Sequence, residues 1–279
     1  MARKRITQLF PWLLPLRKRQ RRLFFYAAMR WDGRRYAACQ QGQPLPHFLC
    51  EEHSALYNPG TGFDMVYQRN KVFNLGLAVA TLQGLLIRPG ETFSFWRMVG
   101  RCTARKGYRP GMTIRNGATG QGVGGGMCQF TNLIHWMALH SPLTVVEHHH
   151  HDQMDLFPDF GRQVPFGVGT SIAYNYLDYR LRNDTDQLFQ LRVWVDGEYL
   201  CGELRAQRML EHTYHIRAED EYFVRCGEQL YRCNTILRRT VERDTGRYQD
   251  QVLMRNRALV LYDASYVDPA MIREEEKTN

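Results

Sequence analysis

Gly122-Val123-Gly124-Gly125-Gly126-Met127-Cys128-Gln129 joins a glycine-rich stretch to an apolar helical pattern, and the fold is read outward from it. Three consecutive glycines let a backbone turn tightly and approach a neighbour closely. Upstream, from Gly107 to Gly126, glycine recurs too often for long regular elements, which predicts turns with a short strand near 112–115. Downstream, Phe130, Leu133, Ile134, Met137 and Ala138 recur at helical spacing, and Ser141-Pro142 closes the pattern. The spacing therefore predicts a helix over 127–140 with Cys128 in its first turn.

That placement has chemical meaning. The first amides of a helix lack intrahelical acceptors, and the positive end of the macrodipole favours a thiolate. A cysteine there is expected to have a lowered pKa and to act as a nucleophile, with amides near Gly125 and Gly126 and the Gln129 side chain as oxyanion or substrate donors. A buried, inert cysteine following a glycine loop is the competing reading. A base could come from Glu147-His148-His149-His150-His151-Asp152. Strand alternation puts His149 and His151 on one face and His148 and His150 on the other. His135 and His140 lie on the cysteine's own helix; at ~1.5 Å rise per residue even His135 is about 10 Å along the axis. Asp152, Asp155 and Asp178 are candidate orienting carboxylates. The histidine run could alternatively bind zinc, but adjacent strand residues point apart, so neither a metal nor another cofactor is expected.

Further from the run, apolar positions Val72, Leu75, Val79, Leu82 and Leu86 predict a helix over 71–87 ended by Arg88-Pro89-Gly90. A strand follows near 92–95. Residues 36–66, rich in Gly, Pro and polar groups, are expected as surface loops. Strands are expected at 144–147, 174–181, 188–195 and 199–204, the last two joined by an Asp196-Gly197 hairpin turn. Runs at 222–225, 231–236 and 252–262 extend the β-leaning pattern. The fold class expected is α+β, with mixed helices, mainly antiparallel sheet and a β-rich C-terminal part. The division expected is 1–35 as a basic aromatic segment, 36–205 as the main domain and 206–279 as a small β-rich extension. No internal repeat is visible.

Composition bounds the partners. The 279 residues carry a net charge of +9, and residues 1–35 hold eleven Lys and Arg against Asp32 alone. Nucleic acid is the weakest candidate, since no recognition motif accompanies the charge. Leu9-Phe10-Pro11-Trp12-Leu13-Leu14-Pro15-Leu16 is interrupted by two prolines and followed by Arg17-Lys18-Arg19-Gln20-Arg21-Arg22. It lacks the cleavage site of a signal peptide and the roughly 20 apolar residues of a membrane span. A short amphipathic helix is expected over 17–30, and the segment is suited to peripheral contact with an anionic membrane. Seven cysteines (Cys39, Cys50, Cys102, Cys128, Cys201, Cys226 and Cys233) are an odd number without CxxC spacing, which points to reduced thiols and a cytoplasmic location, with the basic segment able to rest on the inner face of the membrane.

Several stretches together resemble the short form of the VanW family. They are residues 9–17, Gly62-Phe63-Asp64-Met65-Val66-Tyr67-Gln68, Lys71-Val72-Phe73-Asn74-Leu75, Pro89-Gly90-Glu91-Thr92-Phe93-Ser94-Phe95-Trp96, the Gly124-to-Gln129 run, Leu143-Thr144-Val145-Val146-Glu147 and Leu177-Asp178. The resemblance spans about 1–205. It implies action on peptidoglycan precursors or stem peptides, either as a cysteine-dependent, L,D-transpeptidase-like acyltransferase or as a non-catalytic binder of precursor peptides associated with glycopeptide resistance. In the first case it implies Cys128 as nucleophile and His151 as base, with His149 as the other candidate on that face. The chain departs from the family pattern at His148, where arginine is usual, and at Gly169, where aspartate is frequent. That second departure leaves Asp178 as the fallback orienting carboxylate.

Overall fold

The computed structural model describes residues 10–57, 64–115, 118–149, 154–156, 158 and 164–274. In chain order the elements are α1 (Leu14–Trp31), β1 (Arg35–Tyr36), β2 (His47–Ala55), α2 (Met65–Leu82), β3 (Leu85–Ile87), β4 (Glu91–Ser94), α3 (Phe95–Val99), β5 (Pro110–Arg115), β6 (Ala118–Val123), α4 (Met127–Leu139), β7 (Thr144–Glu147), β8 (Met154–Asp155), β9 (Arg180–Arg182), β10 (Phe189–Asp196), β11 (Tyr199–Ala206), β12 (His212–Cys226), β13 (Gln229–Glu242), β14 (Tyr248–Val260) and β15 (Ile272–Glu274). The fold is α+β with mainly antiparallel sheets, as the sequence predicts.

Three sheets and a hairpin organise these strands. The orders are β1-β4-β9-β7, β2-β11-β10-β3 and β15-β12-β13-β14-β8, with β5-β6 standing as a pair. Helices α2 and α4 cover the second sheet: Leu75, Ala78 and Leu82 from α2 and Phe130, Leu133, Ile134 and Met137 from α4 meet Leu191, Val193, Leu200 and Leu204 in one buried cluster. Helix α4 crosses β11 closely because residue 202 is glycine; a Cβ there would lie 2.7 Å from Met137 Cε and 2.8 Å from Leu133 Cδ2. Apolar area buried on this scale, at roughly 25 cal/mol per Å², is the main stabilising term of the core.

Several expectations are corrected. The helix expected over 71–87 runs instead from Met65, capped by the Asp64 carboxylate accepting from Val66 N at 2.8 Å, and ends at Leu82. Gly84 then adopts φ +73 with its Cα against Gln41, where a Cβ would fall 2.2 Å from Gln41 O, and Leu85–Ile87 leave as a wholly buried strand. A short apolar run reads equally as helix or buried strand from periodicity alone. Residues 36–66 are not all loop. His47–Ala55 form the edge strand of the second sheet, antiparallel to β11, their polar side chains suiting an exposed edge. The strand expected over 174–181 is reduced to Arg180–Arg182, since residues 173–177 turn back with Asn175 at φ 58. The glycine-rich stretch is a full hairpin, β5 paired with β6, rather than turns around one short strand.

Other readings hold in place. Helix α4 covers 127–139, and the Asp196-Gly197 turn joins β10 to β11. Helix α1 ends at Trp31, before Asp32-Gly33. The runs at 222–225 and 231–236 fall inside β12 and β13, and 252–262 overlaps β14, strands longer than the runs that signalled them. Arg238 Nη2 donates to Ser141 O at 2.6 Å, and Leu139, Val168 and Ile236 form a small apolar cluster, which ties this third sheet to the end of α4.

Candidate functional site

The β5-β6 hairpin delivers the glycine run to α4, and each glycine is required by a different neighbour. A Cβ on Gly125 would sit 2.4 Å from the Gly111 carbonyl carbon and 2.5 Å from Met112 O; one on Gly126, at φ +103, would meet Lys71 Cγ at 2.3 Å. The close approach predicted from the glycines is thus to the protein's own backbone and to Lys71. Asn74, wholly buried on α2, fastens the turn: its Nδ2 donates to Arg109 O (2.9 Å) and Gly125 O (3.0 Å), and its Oδ1 accepts from Arg109 N (2.8 Å). Gly125 N donates to Gly122 O at 3.1 Å. Among the described residues, the amides of Gly126 and Met127 have no backbone acceptor, so they remain as donors at the head of α4.

Cys128 lies in that first turn as expected. The lowered pKa is corrected: burial pushes the Cys128 thiol up, and the Ile172 amide and its own N–H only partly oppose this by donating to sulfur. Residues 169–172 clasp the helix at this turn. Thr170 N and Oγ1 both donate to Asn132 Oδ1 (2.7 and 2.8 Å), Thr170 Oγ1 also approaches Cys128 O (3.4 Å), and Thr131 and Thr170 hydroxyls bond to each other. The clasp in turn pairs with the histidine run, Ser171 N donating to His149 O at 2.5 Å. The described part of the run, Glu147 to His149, is held to this clasp, and His148 meets α4 at His135.

The two faces of the run have different surroundings. His148 stacks on His135 (ring centroids 4.2 Å, 17° between planes) and donates through Nε2 to Gly169 O at 3.0 Å, while His135 Nδ1 lies 3.0 Å from Tyr179 OH. His148 is thus the described histidine of the run that packs on α4, and it touches Gly169, the second of the two departures noted above. His149 Nε2 is 3.2 Å from Glu147 Oε1. Among the described residues no hydrogen bond joins a His149 ring nitrogen to Cys128. His150, His151 and Asp152 lie outside the described residues. Glu147, the partner of His149, also accepts from Asp178 N at 2.9 Å and pairs with Arg180 at 3.2 Å.

Asp178 has a structural setting. Buried, it accepts from Ser94 Oγ (2.6 Å), Trp96 N (3.0 Å), Tyr179 N (2.9 Å) and Arg180 Nε (2.9 Å), and so anchors α3 to β9. Gln129 Nε2 donates to Ser54 Oγ (2.8 Å) and Ala55 O (2.7 Å), which fastens α4 to β2. Asp155 pairs with Arg232 at 3.4 Å and accepts from Tyr262 OH in the third sheet. Spacing missed Lys71, buried across Gly126 with its amine pushed down to about 8 by desolvation. It missed Asn74, Asn132 and Thr170 as well; buried amides and hydroxyls carry no periodic signal. Among the described residues no group of three or more His, Cys, Asp or Glu could hold a metal ion.

Fold and site together define an α+β protein whose glycine hairpin presents a clasped cysteine at a helix N-terminus. Residues 70–205 match the family described as VanW like protein. The chain is 43% identical over 263 residues, 94% of its length and 95% of the other, to the vancomycin B-type resistance protein VanW of Enterococcus faecalis (strain ATCC 700802 / V583). It is 27% identical over 125 residues to the uncharacterized protein YoaR of Bacillus subtilis (strain 168), covering 45% of this chain and 39% of that protein. No solved structure matches. The chain belongs to the VanW family.

Proposed function

We propose that this protein acts on the stem peptides of peptidoglycan precursors by cysteine-dependent acyl transfer, in the glycopeptide-resistance setting for which its Enterococcus faecalis relative is named. The observation that carries the reading is the head of α4, where the Gly126 and Met127 amides lack backbone acceptors among the described residues while the Ile172 amide points at the Cys128 sulfur. Such donors stabilise both a thiolate and the oxyanion of a tetrahedral intermediate.

In the reaction, Cys128 Sγ bonds to the carbonyl carbon of a donor peptide bond; the C–N bond breaks, and the thiol proton leaves on the departing amine. An acceptor amine then attacks the thioester, its proton returns to sulfur, and a new peptide bond forms. A histidine of the run carries the proton: His151 by family resemblance, with His149 as the other candidate. Desolvation favours the neutral thiol, so attack requires proton removal when substrate arrives. The test is exchange of a labelled amine into a stem-peptide donor. Cys128→Ala abolishes exchange; exchange at an undiminished rate sinks the reading.

A second reading is favoured by the same burial and by the Glu147 partner of His149. The chain then binds a precursor carboxylate or phosphate at the helix N-terminus without chemistry. Here stem-peptide affinity survives Cys128→Ala and no exchange is seen with either protein.

A further inference from the structure

Helix α1 shows two unlike faces. Phe25 packs against the main core, Met29 is buried, and Tyr26 OH meets Tyr174 OH at 3.1 Å, so this side holds the helix on the body. On the other side Leu16, Leu23, Phe24, Ala27 and Trp31 follow one another at i, i+7, i+8, i+11 and i+15, which is one stripe of an α-helix. The stripe faces water: Leu16 is 63% exposed, Leu23 61%, Phe24 65% and Trp31 81%, and Trp12 in the preceding turn is 74% exposed. Scattered exposed apolar residues are ordinary in proteins, but a continuous stripe of Leu, Phe and Trp on one helix face marks a surface for a partner.

Charge selects the partner. Exposed Arg17, Arg19 and Arg30 border the stripe, and no Asp or Glu occurs anywhere in the sequence before Asp32. A second copy of this helix would bring the two basic sets together with no acid to pair them. A surface that accepts aromatic and aliphatic side chains while presenting anions is an acidic lipid bilayer. Among the described residues no helix is long and apolar enough to cross a membrane, so the contact is one of lying on the surface.

We propose that α1 docks this protein on anionic bilayers, with Leu16, Leu23, Phe24 and Trp31 set among the headgroups and acyl chains and the bordering Arg17, Arg19 and Arg30 on lipid phosphates. Body-side residues Phe25, Tyr26 and Met29 keep the helix fixed to the core during docking, so the whole protein is held in one orientation on the membrane. The inference stands on surface residues alone and does not depend on the chemistry at Cys128.

Flotation of the full chain with vesicles tests it. Phosphatidylcholine–phosphatidylglycerol vesicles carry the protein up at low salt, and pure phosphatidylcholine vesicles carry much less. Leu23→Glu with Phe24→Glu lowers partition by roughly tenfold or more, and each of Arg17→Ser and Arg19→Ser by on the order of fivefold. Circular dichroism of the variants stays that of the parent, because every altered side chain is exposed. The proposal is overturned if the parent does not float with anionic vesicles, if the double Glu variant floats equally well, or if the parent is a dimer in solution that the same substitutions convert to monomer.

Discussion

Two sheets of this molecule are held together in different ways. The second sheet and its helices α2 and α4 enclose wholly buried polar residues, among them Asn74, Thr131, Asn183 and Gln190, each bonded to backbone or side-chain groups distant in sequence. The third sheet is a meander of long neighbouring strands, β12 to β14; apart from buried Arg232 and Asn234, its far end is largely exposed and decorated with ion pairs such as Arg239–Asp250 at 2.7 Å and Arg217–Asp250 at 3.0 Å. The difference teaches where a site can be built. Buried amides with long-range partners fix side chains in place, whereas exposed pairs on a ladder contribute little order.

The contrast can be broken most strongly at the glycine turn. Gly125→Ala sets a Cβ against the Gly111 and Met112 backbone, which cannot rotate aside, and is expected to cost more than about 4 kcal/mol in urea unfolding. Next comes Lys71, whose buried amine titrates near 8 in the folded chain against 10.5 ordinarily. A lowered amine pKa is a burden at neutral pH, where the unfolded chain binds the proton more tightly. Stability therefore rises as pH climbs from about 8 toward 10.5, and Lys71→Met gains up to roughly 3 kcal/mol at pH 7 while flattening that rise. Urea midpoints of the two proteins across this range check it.

A smaller effect is expected where His148 meets Gly169. The backbone at Gly169 leaves room for a side chain, its nearest neighbour being Asn132 Oδ1 at 4.0 Å from a Cβ. His148→Arg and Gly169→Asp should each destabilise alone and together recover roughly 1 kcal/mol through their pairing, measured by a double-mutant cycle. The smallest effect belongs to the third sheet: Asp250→Asn removes both exposed ion pairs and leaves the urea midpoint unchanged within error. A large loss there would erase the contrast between the two sheets.

What was legible in the amino-acid sequence follows the same division. Helix α4, the Asp196-Gly197 hairpin and the long C-terminal strands announce themselves by local spacing and turn residues. Strand β2 does not, because an edge strand with Glu51, Glu52 and His53 lacks apolar alternation, and β3 hides inside an apolar run continuous with α2. At the site, Cys128 and the glycines were legible as a loop feeding a helix. The clasp formed by Thr170, Ser171 and Ile172 was not, since it arrives from about forty residues away and has no motif. Desolvation at the head of α4 pushes the Cys128 thiol up, against the lowering expected of a helix N-terminus, and the Ile172 amide of the clasp opposes it only in part. The clasp also holds His148 against α4, a placement that alternation alone left open.

The central claim is that Cys128 carries the acyl group. Intact-mass spectrometry after incubation with a stem-peptide thioester analogue, without acceptor amine, measures this directly. The account predicts a single acyl adduct that maps to Cys128 and is absent from Cys128→Ala; an adduct of equal yield in Cys128→Ala, or none on the parent protein while the analogue binds, would contradict it.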